Sequence, residues 1–273
     1  MKRPLAPWLS RHDAAIAFRA DDAGAATGIT EGIILAICGG LVKNVSVMVP
    51  PPAFHHARDR LQELRGVEFG LHLTLNCEWL GQRWRPVAPP AKIPTLLDAD
   101  GYFLATPEIL SERQPAIEQL LTEARAQLAR LRATGLPVTY LDEHMGVGWL
   151  PGLRQALVQL AYEEDLVHAD AAIPFFQPLQ DALADPDKLR ALLPQLTGTH
   201  LAICHFALDD TSTQSLCFGA TQSFGEVAAA RAAELATVTN PALLSAYAAG
   251  SHLHSVTMRQ AAARLQIANK LRT

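Results

Sequence analysis

Two adjacent carboxylates, Asp21 and Asp22, close a strand-like run, Ala15-Ile16-Ala17-Phe18-Arg19-Ala20. Neighbouring carboxylates at a strand end repel each other and are costly to desolvate, so a fold keeps them where a cation or a proton relieves the repulsion. Gly24 and Gly28 follow, which predicts a turn before the next helix. Parallel α/β folds gather their catalytic groups at this C-terminal strand edge. A structural reading stands beside the functional one: Asp-Asp as a turn and a helix N-cap.

The chain after this strand alternates. Residues 29–40 carry Ile33, Ile34 and Ile37 at helical spacing and stop at Gly39-Gly40. A β-rich run, Val45 to Val49, halts at Pro50-Pro51-Pro52; a helix is predicted over 54–65 and a strand over 67–75. This rhythm predicts an α/β chain with a parallel sheet or barrel and crossover helices. Residues 77–115 interrupt it with Pro86, Pro89, Pro90, Pro94 and Pro107, and are too long for an ordinary connection. They are read as an inserted loop or flap over the active face of one domain spanning 1–273. Beyond it, an amphipathic helix is predicted over 117–133, a strand over 138–141 and a helix over 153–162. A helix capped by Asp181 is expected over 181–193, then a strand over 200–205 ending in His205. Helices over 228–236 and 241–249 follow, the second capped by Asn240 with Pro241 at its first position. Val256 opens a last strand or the tail helix.

Composition narrows the function. The 273 residues are 49% apolar and 18% charged, with a formal charge of −4, which argues against a nucleic-acid-binding surface. Cys38, Cys77, Cys204 and Cys217 show no CxxC spacing, so neither a zinc knuckle nor a disulfide framework is indicated. Met1 to Trp8 lacks the apolar core of a signal peptide, and no run approaches the ~20 residues of a membrane span. A cytoplasmic protein without a membrane partner is the expectation, and a homodimer the base-rate guess.

Four predicted strand ends carry polar groups: Asp21-Asp22, His72, Asp142 with His144, and His205. His72 lies between leucines, so it also reads as a satisfied core histidine. One carboxylate and two imidazoles would make a facial triad with open positions, suited to zinc or a related divalent ion. A second carboxylate beside it could act as base on bound water. Asp142 reads equally as the orienting partner of a histidine or as a turn residue. Trp79, Trp84, Tyr102 and Phe103 would stack on sugar rings or pin the insertion to the body. His55 and His56 open a helix, and His252 and His254 are expected at the surface. Cys204 is set aside as a nucleophile, because neighbouring strand residues point to opposite faces.

The order Ala20-Asp21-Asp22-x-Gly24, Gly70-Leu71-His72-Leu73 and Leu141-Asp142-x-His144 resembles the YdjC-like carbohydrate deacetylases. These include the ChbG-type chitooligosaccharide deacetylases and are distantly similar to NodB-type polysaccharide deacetylases. Asn44 to Val49, Asp98 to Phe103, Cys204-His205 and Arg231-Ala232-Ala233-Glu234-Leu235 extend the resemblance over about residues 14–250. It implies a distorted, TIM-like (β/α) barrel with fewer than eight regular repeats. It also implies one divalent ion, zinc or magnesium, held by Asp22, His72 and His144. Asp21 would be the base acting on metal-bound water and His205 the acid for the leaving amine, with an N-acetylated sugar as substrate. Three departures stand out. The usual Asp-Ser-His-x-His is Asp142-Glu143-His144-Met145-Gly146, the Pro-Gly after the late histidine is Phe206-Ala207, and Leu166 to Asp170 lacks a common arginine. The alternatives are a sugar-binding or regulatory protein on the same fold, or a hydrolase of another small or lipid-linked amide.

Overall fold

Strand β1 (Ala14–Ala23) is buried at every position, as a strand covered on both faces must be. In the computed structural model, which describes residues 12–219 and 222–270, it is an interior strand of a parallel seven-stranded sheet. The other strands are β2 (Asn44–Val47), β3 (Glu68–Leu73), β4 (Val138–Glu143), β5 (Val167–His168), β6 (Gly198–Cys204) and β7 (Leu253–Ser255). Their order is β5-β4-β3-β2-β1-β6, and β7 pairs with the start of β1. The sheet curls into a half-barrel of the α/β class, as expected from the alternation. At its outer edge Phe175 bridges Leu201 of β6, and Leu201 N–H donates to Pro174 O (2.9 Å).

Alternation along β1 divides the core. Ala14, Ile16, Phe18 and Ala20 join the large cluster packed under the crossover helices. Ala15 and Ala17 join a smaller cluster with Tyr140, Leu201, Val256, Met258 and Ala261. Arg19 and Asp21 continue the second face toward the strand's C-terminal end, because residues two apart share a face. The helix Met258–Lys270 packs against β1, β4, β5 and β6, so it covers the opposite end of this face.

Several boundaries differ from expectation. Strand β1 runs through both aspartates to Ala23, because its pairing with β2 resumes at Ala23↔Val47 after an irregularity. The helix expected over 181–193 is two helices, Gln177–Ala182 and Pro186–Leu192, and the cap of the second is Asp185 rather than Asp181. Pro186 has no N–H to continue a helix from the preceding turn, but suits the first position of a new one. His252 and His254 are half-buried rather than at the surface, with His254 inside β7. Asn240 caps Pro241–Ala249 through Ala242 N and Leu243 N, as expected.

The insertion is ordered by short turns (Pro90–Lys92, Pro94–Leu96) and the helix Pro107–Glu112. Trp84 and Phe103 are buried in the core, while Glu123 of the helix Ile117–Arg132 accepts Val87 N and Ala88 N (2.9 and 2.8 Å). Those two rings pin the segment. Tyr102 lies under the guanidinium groups of Arg83 and Arg85, each 4.2 Å from its ring centre. The leader reading of Met1 to Trp8 lies outside the described residues. No helix among the described residues is long and apolar enough to cross a membrane.

Fully buried Asn44 joins three segments. Its amide donates to Phe18 O (3.0 Å) and Val256 O (3.1 Å), and its Oδ1 accepts Met258 N (2.8 Å). Asn44→Ala leaves two carbonyls and one N–H without that partner, each a desolvated group. The expected loss is about 2–4 kcal/mol in chemical denaturation; a change within experimental error would contradict this joint.

Candidate active site

Neighbouring strand residues normally face opposite ways, yet both aspartates of β1 reach the same polar centre. The irregularity in the β1–β2 register and a left-handed backbone at Asp22 (φ 68°) turn the second carboxylate inward. Such a conformation costs a non-glycine residue on the order of 1–3 kcal/mol and persists where its surroundings hold it. Here they do. Asp22 Oδ1 lies 3.1 Å from His72 Nε2 and 3.2 Å from His144 Nδ1, and the two ring nitrogens are 3.2 Å apart. Its Oδ2 accepts Arg231 Nη2 at 2.6 Å. Burial opposes ionisation of Asp22, but Arg231 and the bonds from both histidines outweigh it and hold the carboxyl well below its usual range.

Each histidine is oriented from behind. His72 Nδ1 donates to Asp142 Oδ1, whose other oxygen accepts Ser46 Oγ (2.5 Å). Ser46 Oγ also bonds the hydroxyl of Tyr140 (3.1 Å). Gly70 makes room for that ring, since a Cβ there would fall 2.1 Å from Tyr140 Cε2. His144 Nε2 is 3.0 Å from each oxygen of Glu78, which accepts Asn76 Nδ2 (3.0 Å). Burial draws protons off both rings, but Asp142 and Asp21 raise His72 well above its ordinary value, and Glu78 and Asp22 raise His144 to about 9.

Asp21 is gripped by Arg19, with Nε to Oδ1 at 2.7 Å and Nη2 to Oδ2 at 2.8 Å. Arg19 Nη1 also donates to Asp170 Oδ1 (2.6 Å). One ligand-type atom each from Asp21, His72 and Asp142 lie within 4.8 Å of one another, so Asp21 adjoins the triad. His205 is half-buried on the cleft wall, and its backbone N–H donates to Glu234 Oε2 (2.8 Å). Burial, then Arg231, lower its imidazole to about 4, whereas burial raises Glu234 to about 7.

The chemistry of the donor set fits a divalent ion. Ligand atoms about 2.0–2.1 Å from one ion lie roughly 2.8–3.4 Å apart across octahedral and tetrahedral arrangements, and the three observed separations fall in that range. Two imidazoles and one carboxylate suit zinc and related metals. Glu143, His168 and Asp170 form another acidic group, but Arg154 already sits there, with Nε 2.7 Å from Glu143 Oε1.

A cleft of about 590 Å³ opens onto these residues and is also lined by Trp79, Met145, Phe218 and Val227. Of the expected site residues, Asp21, Asp22, His72, His144 and His205 all border it. Among the other candidates, Trp79 lines it, whereas His55, His56, His252 and His254 do not. His56 pairs instead with Glu31 (2.9 Å). His168 caps a short helix through Ala171 N and faces Glu143 (3.1 Å). Cys204 is buried, and burial raises its thiol well above the ordinary value. Sequence reading missed Glu78 and Arg19. Arg19 was legible from its i, i+2 spacing to Asp21 on one strand face, whereas Glu78 carries no local pattern.

A profile of the YdjC-like protein family matches residues 15–249. A carbohydrate deacetylase of Brevibacillus brevis is 33% identical over 144 residues, 53% of this chain and 54% of the relative. The chain thus spans about half the length of that relative. A carbohydrate deacetylase of Geobacillus stearothermophilus is 28% identical over 239 residues, 83% of this chain and 89% of the relative. Among solved structures, an Enterococcus faecalis protein, described as a candidate for cellobiose-phosphate cleavage, superimposes with a TM-score of 0.73. It is 21% identical and covers 90% of this chain and 98% of its own, a likeness of fold. The match over most of the chain, on the barrel and strand ends described above, shows that this protein belongs to the YdjC-like family.

Proposed function

We propose that the protein is a metal-dependent hydrolase that removes the acetyl group from an N-acetylated sugar. The observation carrying this reading is the convergence of Asp22, His72 and His144 within 3.1–3.2 Å of one another, beside a carboxylate that is not part of the triad. The deacetylase descriptions of the Brevibacillus and Geobacillus relatives support the substrate class.

Amide hydrolysis needs an activated water, relief of the charge on the carbonyl oxygen and a proton on the leaving nitrogen. A divalent ion held by the triad would supply Lewis acidity and acidify bound water, which zinc brings from 15.7 to about 7. The chain supplies the rest. Asp142 and Glu78 hold the two imidazoles with one nitrogen of each aimed at Asp22, the outer-shell arrangement that fixes a ligand's tautomer. Asp21, held in place by Arg19, takes a proton from the attacking water. His205 passes a proton to the amine as the C–N bond breaks. The balance is one proton: Asp21 would take it from the water and pass it to His205, neutral at rest, which would hand it on to the nitrogen.

The test is acetate release from N-acetyl sugars. A chelator should abolish it and zinc or magnesium restore it, while His72→Ala and His144→Ala should hold no ion by elemental analysis. Asp21→Asn should keep the ion yet lose roughly 10²–10⁴ in kcat; a sugar-binding protein would be indifferent to that change. For His205, long-range ¹H–¹⁵N NMR of the metal-free protein should show a neutral imidazole at pH 5.5, with protonation near pH 4. A midpoint above pH 6 would contradict the relay.

A further inference from the structure

Val227, Ala230, Arg231 and Glu234 of the helix Glu226–Val238 all line the cleft. Residues three and four apart share a helix face, so these four form one wall. Arg231 is the cation of that wall. It is 8% exposed, and among the described residues its ion pair is with Asp22, Nη2 to Oδ2 at 2.6 Å. Glu234, one turn on, gives its Oε2 to the backbone N–H of His205 (2.8 Å). Arg231 Nη1 is buried and has no hydrogen-bond partner. The same holds for Trp79 Nε1, on a cleft-lining residue that is 7% exposed. Nearly all buried donors in folded chains are bonded, because an unbonded one bears its full desolvation cost. Two such donors in one cleft wall therefore mark a place for an acceptor.

The other guanidinium groups of the cleft are committed. Arg19 donates through Nε and Nη2 to Asp21 and through Nη1 to Asp170. Arg154 Nε makes no hydrogen bond either, but Glu143 Oε1 stands 2.7 Å from it. The two unpartnered donors sit together, with the guanidinium carbon of Arg231 5.6 Å from the centre of the Trp79 ring. That is looser than the 4.2 Å at which Arg83 and Arg85 close on Tyr102. The indole thus covers the guanidinium without close packing, and a small turn of the ring opens Nη1 to the cleft. The position matters as well. Nη2 ties Arg231 to the outer oxygen of the carboxylate whose Oδ1 faces His72 and His144. Nη1 therefore stands beside the place where an acyl group must sit to be attacked. In amide hydrolysis the acyl oxygen passes from a carbonyl to an anion and leaves as one oxygen of a carboxylate. A fixed N–H aimed at it stabilises the charge that develops there.

We propose that Arg231 Nη1 is the chain's own donor to the acyl oxygen, flanked by Trp79 Nε1, and that the same pair holds the carboxylate product. The proposal rests on the deacetylase reading of this site and adds a catalytic residue to it. One guanidinium then serves two oxygens: Nη2 holds Asp22 in the triad, and Nη1 meets the substrate.

The test has two readouts. Arg231→Lys keeps a cation beside Asp22 but loses the second arm of the fork. While it retains its zinc by elemental analysis, its kcat on an N-acetyl sugar should fall roughly 10²–10³-fold with KM little changed. The second readout needs no turnover. In ¹H–¹⁵N spectra of the zinc-loaded wild type, added acetate should shift the indole N–H of Trp79, assigned by its loss in Trp79→Phe. The indole N–H of Trp84, already bonded to Asn76 O (3.0 Å), should stay in place. Arg231→Lys should weaken the acetate shift. A zinc-retaining Arg231→Lys with kcat within about threefold of wild type would overturn the proposal. So would a Trp79 resonance indifferent to acetate. If Arg231→Lys fails to fold or to hold zinc, the acetate titration of the wild type decides alone. Should no N-acetyl sugar release acetate, the deacetylase reading fails, and the same titration still decides whether these donors take a carboxylate.

Discussion

The end of β1 places four carboxylates, Asp21, Asp22, Asp142 and Asp170, around one arginine and two histidines. Burying an unpaired charge is prohibitively costly, and removing one partner of a buried pair typically costs about 3–5 kcal/mol. Arg19 is the member that makes the arrangement tenable. Its Nε and Nη2 meet Asp21, its Nη1 meets Asp170, and its Nε lies 3.6 Å from Asp142 Oδ2. Two strand ends, those of β1 and β4, and the segment after β5 are thereby held in one register. Asp22 is left to Arg231 on one side and to the two histidines on the other. The site and the barrel are consequently one electrostatic unit.

Much of this was legible because strands and crossover helices leave strong periodic signals. The alternation predicted the parallel sheet, and polar residues at predicted strand ends predicted which side chains would meet. Asp21, Asp22, His72, His144 and His205 do line one cleft. What escaped was set by long-range packing. Glu78 is 66 residues from His144 in sequence and reaches it only because the insertion is pinned by Trp84, Phe103 and Glu123. The split of the helix expected over 181–193 turned on Pro186, whose missing N–H outweighed the helical spacing around it.

The departures from the family pattern also acquire a physical meaning. Glu143, where the pattern has serine, is buried and holds Arg154 against Gly148. Gly146, which stands where the pattern has its second histidine, and Met145 before it both adopt left-handed backbone (φ 62° and 55°) and border the cleft. The segment expected to carry an arginine presents Asp170 instead, and Arg19 of β1 brings a guanidinium to it from another strand. These changes reshape the walls while the triad keeps its three donors.

The central claim is that Asp22, His72 and His144 close on a single ion. Anomalous diffraction at the zinc edge from crystals grown with zinc tests it most directly. The account predicts one peak within bonding distance of Asp22 Oδ1, His72 Nε2 and His144 Nδ1, and none beside Glu143, His168 and Asp170, where Arg154 stands. A peak only at that second group, or no peak between the three donors at saturating zinc, would contradict it.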